Sequence, residues 1–155
     1  MSRILVIDDN EGVRTALEVL LSIHQLTPVS AHTPEEGLDL LRQQDFNLVI
    51  QDMNFSRNIT SGEEGVDLFH KIREIDPDIP IIIITAWTNL ETAIELVKEG
   101  AADYLQKPWD DSKLIVGIRN LLQLENSTRE QQQQVAARNK ARRQLENQYD
   151  LCGLV

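Results

Sequence analysis

Cysteine occurs once in these 155 residues, at Cys152. That excludes an intrachain disulfide and fits a reducing compartment. Long apolar runs are also missing. None approaches the ~18 residues a membrane helix needs, and Met1-Ser2-Arg3 leads straight into a short apolar segment instead of a signal peptide. A soluble protein of the cytoplasm, with no membrane partner, is the expectation. Positive charge is scarce: 15 Lys and Arg stand against 25 Asp and Glu, a net charge of −10. A surface of that sign argues against direct nucleic-acid binding by this segment, because a phosphate backbone demands a basic face. Glycine-rich phosphate loops are absent as well. Asp8-Asp9-Asn10-Glu11-Gly12 is not a dinucleotide-binding turn, and without a P-loop ATP hydrolysis has no place here.

What is present is alternation. The 41% of hydrophobic residues suffices for one core of ~120 residues plus an appendage. Strand-like segments fall at Ile4–Ile7, Thr27–Ala31, Asn47–Gln51, Ile81–Ile84 and Ala102–Gln106. Between them run helical periodicities: Val13, Ala16, Leu17, Leu20 and Leu21, then Leu38, Leu40 and Leu41, then Val66, Leu68, Phe69 and Ile72. A fourth helix ends at Lys98-Glu99-Gly100, and Leu114, Ile118, Leu121 and Leu122 mark a fifth. Thr33-Pro34-Glu35-Glu36 and Thr88-Asn89-Leu90-Glu91 both read as capping boxes. Four consecutive isoleucines, Ile81 to Ile84, are apolar on both faces, as a central parallel strand covered by helices on each side must be. Five βα units predict an α/β fold, a doubly wound parallel sheet with right-handed crossovers. The expected strand order is 2-1-3-4-5, with the switch point between strands one and three.

Four of those strands run into residues that phosphoryl chemistry uses. The first ends in Asp8-Asp9, the third in Asp52, the fourth in Thr85-Ala86 and the fifth in Lys107-Pro108. In an open parallel sheet these C-terminal ends line one crevice, where ligands bind. Three carboxylates brought together repel one another unless a cation joins them. Mg²⁺ suits such a set: it is hard, keeps several waters, and takes one or two carboxylates plus phosphoryl oxygens. An aspartate that attacks phosphorus forms an acyl phosphate. The remaining task is to neutralise charge on the equatorial oxygens, which Mg²⁺ and Lys107 supply, with a hydrogen bond from the Thr85 hydroxyl. In isolation each residue has a plain alternative. Asp8-Asp9 would cap a helix, Asp52 would be a loop acid, Thr85 would bond to backbone, and Lys107 would sit in solvent. Five such positions in order at the ends of the correct strands are hard to ascribe to coincidence.

These residues closely resemble the receiver domain of two-component response regulators, over roughly residues 3–124. Tyr104, three before the lysine, matches the family's switch aromatic. The resemblance implies a flavodoxin-like (βα)₅ fold and a phosphoacceptor switch, not an enzyme, loaded on Asp52 by a sensor histidine kinase. It further implies Mg²⁺ held by Asp8, Asp9, Asp52 and the backbone carbonyl of Asn54. Asp52, Thr85 and Lys107 form the reactive set, Thr85 and Tyr104 form the switch, and the Lys107-Pro108 bond is cis. One region departs from the pattern. Receivers carry Met-Pro three and four residues after the phosphoacceptor and a glycine eight after it. Here Phe55, Ser56 and Thr60 hold those positions, and the matching Gly65 comes thirteen after. The intervening loop is longer by five residues, a change that costs the fold little.

That long loop resembles a subgroup of regulators that activate the sigma-54 polymerase, in which a helical linker joins the receiver to an AAA+ ATPase. The tail agrees. Residues 127–150 carry a net charge of +2 against −12 elsewhere, with a glutamine run at Gln131–Gln134. A spacing of four and three picks out Leu124, Thr128, Gln131, Val135, Arg138, Arg142, Leu145 and Tyr149, a weak heptad seam. The expected division is a receiver over 1–124 and a helical linker over 125–155, leading to an effector domain. The seam suits either a solvated connector or a homodimer formed with the receiver surface. The remaining alternatives are a stand-alone or differently coupled receiver and a Mg²⁺-dependent phosphatase with an aspartate nucleophile. A haloacid-dehalogenase-type enzyme needs a second acid two residues after its nucleophile, where Asp8 has Asn10. A receiver fold kept only for binding is expected to lack an acid, the hydroxyl or the lysine, and all stand in place here.

Overall fold

The computed structural model describes residues 2–53 and 63–124, the Trp87 side chain excepted. The Asn54–Gly62 part of the long loop and the linker at 125–155 lie outside the described residues. The chain divides into two units, residues 1–121 and 122–155. The first unit runs β1 (Arg3–Ile7), α1 (Glu11–Ile23), β2 (Thr27–Ala31), α2 (Pro34–Gln43) and β3 (Leu48–Asp52). It continues through α3 (Glu63–Ile75), β4 (Ile81–Thr85), α4 (Leu90–Glu99) and β5 (Asp103–Gln106), and closes with α5 over residues 111–121. Residues 122–124, at the start of the second unit, are also helical.

All four strand pairings are parallel and the order is β2-β1-β3-β4-β5, as the alternation predicts. Composition explains the positions. Every residue of β3 and β4 is buried, whereas β5 is exposed at both ends and β2 is half-buried along most of its length. Strands closed on both faces are apolar throughout, and edge strands carry the polar residues.

Successive side chains on a strand alternate faces. On one face Leu5, Ile7, Val49, Met53, Ile81 and Ile83 pack with Leu38, Leu41, Leu68, Phe69, Ile72, Ala93 and Leu96 of α2, α3 and α4. The intervening strand residues Ile4, Val6, Leu48, Ile50, Ile82 and Ile84 are equally buried on the other. Burying one such side chain contributes roughly 1.5–3 kcal/mol, so the two layers are the main source of stability. Arg73 ties the far end together. Its guanidinium donates to the carbonyls of Ile79 (2.6 Å) and Gly100 (2.9 Å) and lies over the Phe69 ring. Burial lowers its pKa from the ordinary arginine value. Gly100, at φ 126°, adopts a conformation that side chains resist and ends α4 as the sequence predicts.

Three local expectations change. Leu90 begins α4 after a 3-10 turn at Trp87–Asn89, and Asn89 makes no side-chain cap, so Thr88-Glu91 is not a capping box. Asn89 instead turns inward and is 2% exposed, which removes it from capping. The Thr33 box is half-formed. Thr33 accepts from the Glu36 N–H at 3.1 Å, but Glu36 reaches the His32 ring and N–H instead of closing the box. Ala16 is exposed, leaving Leu17 and Leu21 as the buried stripe of α1.

Candidate functional site

The crevice is built by register. Ile7 pairs with Gln51, so Asp8 leaves β1 at the level at which β3 reaches Asp52. Asp52 pairs in turn with Ile84, and Thr85 with Gln106, which puts Lys107 one residue past the end of the sheet. The Lys107 N–H donates to the Thr85 carbonyl at 2.9 Å, fastening the turn after β5 to the end of β4. The Lys107-Pro108 bond is cis, as expected.

One lysine closes the arrangement. Lys107 Nζ lies 3.1 Å from Asp52 Oδ1 and 3.3 Å from Asp8 Oδ2. Oxygens of Asp8, Asp9 and Asp52 also come within 4.8 Å of one another. Asp8 and Asp52 are 2% and 7% exposed, whereas Asp9 faces solvent. The cluster is thus two buried acids with a third at the mouth.

Each buried acid is oriented by backbone. Asp8 Oδ1 accepts the Asn10 N–H and Asp52 Oδ1 accepts the Met53 N–H, both at 2.9 Å. The capping alternative for Asp8-Asp9 does not hold, because Asn10 itself caps α1 by accepting the Val13 N–H at 3.0 Å. Burial pushes the Asp52 carboxyl up to about 6, the charge of Asp8 adds to the rise, and Lys107 opposes it. Asp8 is raised for the same leading reason, against the Asn10 N–H and Lys107. Burial alone pulls Lys107 down, but the Asp52 and Asp8 carboxylates outweigh it and raise its pKa.

Two buried carboxylates and one ammonium leave negative charge uncompensated in a site of low polarity. Both acids respond by shifting toward the neutral form. The donor set is all oxygen and anionic, open on the Asp9 side, and so fits a hard divalent cation such as Mg²⁺.

The remaining expected residues fall differently. Thr85 is fully buried at the strand end and its hydroxyl donates to the Ala86 carbonyl at 3.1 Å, away from the acids. Tyr104 is half-buried and packs against the apolar layer. Asn54 and the Trp87 side chain lie outside the described residues. Trp109 donates from Nε1 to Asp111 at 2.9 Å. His32 pairs with Glu36 and His70 with Glu99, and His24 faces Arg119, so the histidines stay out of the crevice.

Two residues escaped the sequence reading. Arg14 Nη1 donates to the Asp8 carbonyl at 2.8 Å and steadies the acidic turn from α1. Gln51 is fully buried immediately before Asp52. The Gln51 signal was readable as a polar residue inside an apolar strand. Arg14, on a half-exposed helix face, gave none.

A doubly wound parallel sheet with clustered acids at its switch point and a lysine bridging two of them is the arrangement of a receiver domain. Residues 4–119 match the model of the response regulator receiver domain. The chain is 34% identical over 127 residues to the response regulator protein PilR of Pseudomonas aeruginosa, covering 82% of this chain and 27% of that protein. It is likewise 34% identical over 119 residues to the transcriptional regulatory protein ZraR of Escherichia coli, covering 77% and 26%. Among solved structures, a response regulator receiver domain protein from Clostridium thermocellum superimposes with a TM-score of 0.75 at 30% identity, over 83% of this chain and 99% of that one. The chain belongs to the response regulator receiver domain family. It spans about a quarter of the length of the curated relatives it matches.

Proposed function

We propose that this receiver takes a phosphoryl group onto Asp52 from a sensor histidine kinase and so controls a transcription-activating output. The observation that carries the reading is Lys107 Nζ, placed between Asp52 and Asp8 at 3.1 and 3.3 Å. An ammonium there holds the nucleophile in place and stands ready for a phosphoryl oxygen. In the transfer an Asp52 oxygen forms the new O–P bond, and the N–P bond of phosphohistidine breaks, its electron pair returning to the imidazole nitrogen. Asp8, Asp9, Asp52 and the Asn54 carbonyl would hold Mg²⁺. When bound, it supplies the positive charge that phosphoryl oxygens need. Lys107 then turns part of its charge from the carboxylates to the phosphoryl group. Thr85 gives up the Ala86 carbonyl and donates to a phosphoryl oxygen. Tyr104 moves inward as Thr85 leaves its present position, and the surface of α4, β5 and α5 changes with it.

The output is read from the relatives. They are regulators about four times the span matched here, one of them named as transcriptional. With the long loop and the tail's seam, that supports a receiver of the sigma-54-dependent group, working in the cytoplasm. A linker at 125–155 leads to an AAA+ domain, and phosphorylation biases pairing of the linker. Mass measurement after incubation with acetyl phosphate and Mg²⁺ tests the core of this reading. One phosphate is expected in the wild type and none in Asp52→Asn. A wild type that stays unmodified, or a variant that labels fully on Asp8 or Asp9, rejects it.

A further inference from the structure

Gln51 is out of place by composition. It is 0% exposed in the middle of β3. Its strand neighbours on the same face are Val49 and Met53, and its lateral partners are Ile7 and Ile83, all in the apolar layer. Its Nε2 donates to the Gly65 carbonyl at 2.9 Å and, more weakly, to the Asp52 carbonyl at 3.3 Å. Among the described residues its Oε1 is buried with no hydrogen-bond partner. An unpaired buried acceptor costs stability that leucine or methionine would not. Such an orphan calls for an explanation.

Gly65 supplies one. Its N–H donates to the Met53 carbonyl at 2.9 Å. A Cβ on Gly65 would stand 2.5 Å from Met53 Cα and 2.7 Å from Met53 O, so only glycine allows the approach. The start of α3 is thus pressed onto the residue after Asp52, and the Gln51 amide locks it there. Met53 and Gly65 stand at the two ends of the extended loop, and this clasp joins those ends. The Met53 N–H in turn fixes Asp52 Oδ1 at 2.9 Å, the oxygen that Lys107 also holds.

We propose that Gln51 is a positioning residue for the Asp52 carboxylate, acting through Gly65 and the Met53 peptide to hold the nucleophile still at the neck of an extended loop. A short loop would fix that peptide by its own length. A longer one restrains its ends less, and the Gln51 amide replaces the lost restraint. The proposal rests on Asp52 as the phosphoacceptor.

Gln51→Met tests it in the full chain. Methionine matches the length, removes the donor and also removes the orphan acceptor, so thermal stability should hold or rise. The labelling rate with acetyl phosphate at saturating Mg²⁺ should fall about tenfold, the scale expected for a nucleophile displaced by a fraction of an ångström. Half-saturation by acetyl phosphate should change little. Amide exchange read by NMR needs no phosphate, and the Met53 and Gly65 N–H groups should exchange faster in the variant. Wild-type labelling and exchange in a folded Gln51→Met would overturn the proposal. So would a rate loss that disappears once the folded fraction is corrected for. If the wild type itself does not label, the phosphoacceptor reading fails. The exchange measurement then still decides whether the clasp exists.

Discussion

β3 and β4 lie side by side, both buried over all five residues, yet they are made differently. β4 reads Ile-Ile-Ile-Ile-Thr and is apolar until its last residue. β3 reads Leu-Val-Ile-Gln-Asp and gives up its last two places to polar groups, one with an acceptor unpaired among the described residues. The first is shaped by the sheet's need for a dry centre. The second sacrifices part of that gain to hold a carboxylate at a defined point. Adjacent strands under the same burial differ in how many places they give to polar groups, two at the end of β3 and one, Thr85, at the end of β4.

Asp52→Asn breaks the comparison most completely. Phosphate incorporation should vanish. Stability should move the other way. The Asp52 carboxyl is raised to about 6 in the fold from an ordinary 3.8, so the folded chain binds that proton more tightly than the unfolded chain does. Stability from this group is therefore present when it is protonated and is lost as pH rises from about 4 to about 6. With Mg²⁺ chelated at neutral pH, Asp52→Asn should be more stable than wild type by about 1–3 kcal/mol, and the gap should close as pH falls below 4. Urea melts across that range decide it. A gap that widens in acid would falsify the assignment of Asp52 as a buried, destabilising charge.

Ile83→Ala should do the reverse. Ile83 is fully buried opposite Gln51, and truncation should cost about 2–5 kcal/mol. Labelling per folded molecule should remain near wild type. A rate loss beyond the unfolded fraction would show that Ile83, and not only Thr85 at the end of β4, serves the chemistry.

Asp9→Ala concerns the acid at the mouth. Removing one of few anionic ligands should weaken Mg²⁺ by about tenfold or more in calorimetry. The Asp8–Lys107–Asp52 arrangement should persist, because neither of the lysine's ion pairs involves Asp9. Equal affinity in the two proteins would move the metal away from this cluster.

The smallest expected effect lies in the tail. Sedimentation of the chain with and without beryllofluoride, a phosphoryl mimic, should show a modest rise in dimer. Seam positions that are half polar pair weakly enough to be controlled. An unchanged dimer fraction over a wide concentration range leaves the receiver surface as the whole output.

Most of the fold was legible because its signals are local and repeated. The isoleucine run marked a central strand, the leucine stripes marked helices, and Gly100 marked a stop. The Thr88-Glu91 box misled because capping depends on which way a side chain turns, and Asn89 turned into the protein. The site residues were legible as types at strand ends. Gln51 showed only as a polar residue in an apolar strand and Arg14 not at all, since their roles depend on carbonyls at Gly65 and Asp8 that no local pattern announces.

The sequence alone determined the alternation of strands and helices, the placing of acids, hydroxyl and lysine just past four strands, and the excess of negative charge. Those follow from periodicity and composition, which a linear chain carries in full. Only the tertiary structure decided that Lys107 reaches two carboxylates 99 and 55 residues away, that burial raises both, and that Gly65 closes on Met53. Distance, desolvation and close approach are properties of packed surfaces. They exist only once segments remote in sequence have excluded water from one another.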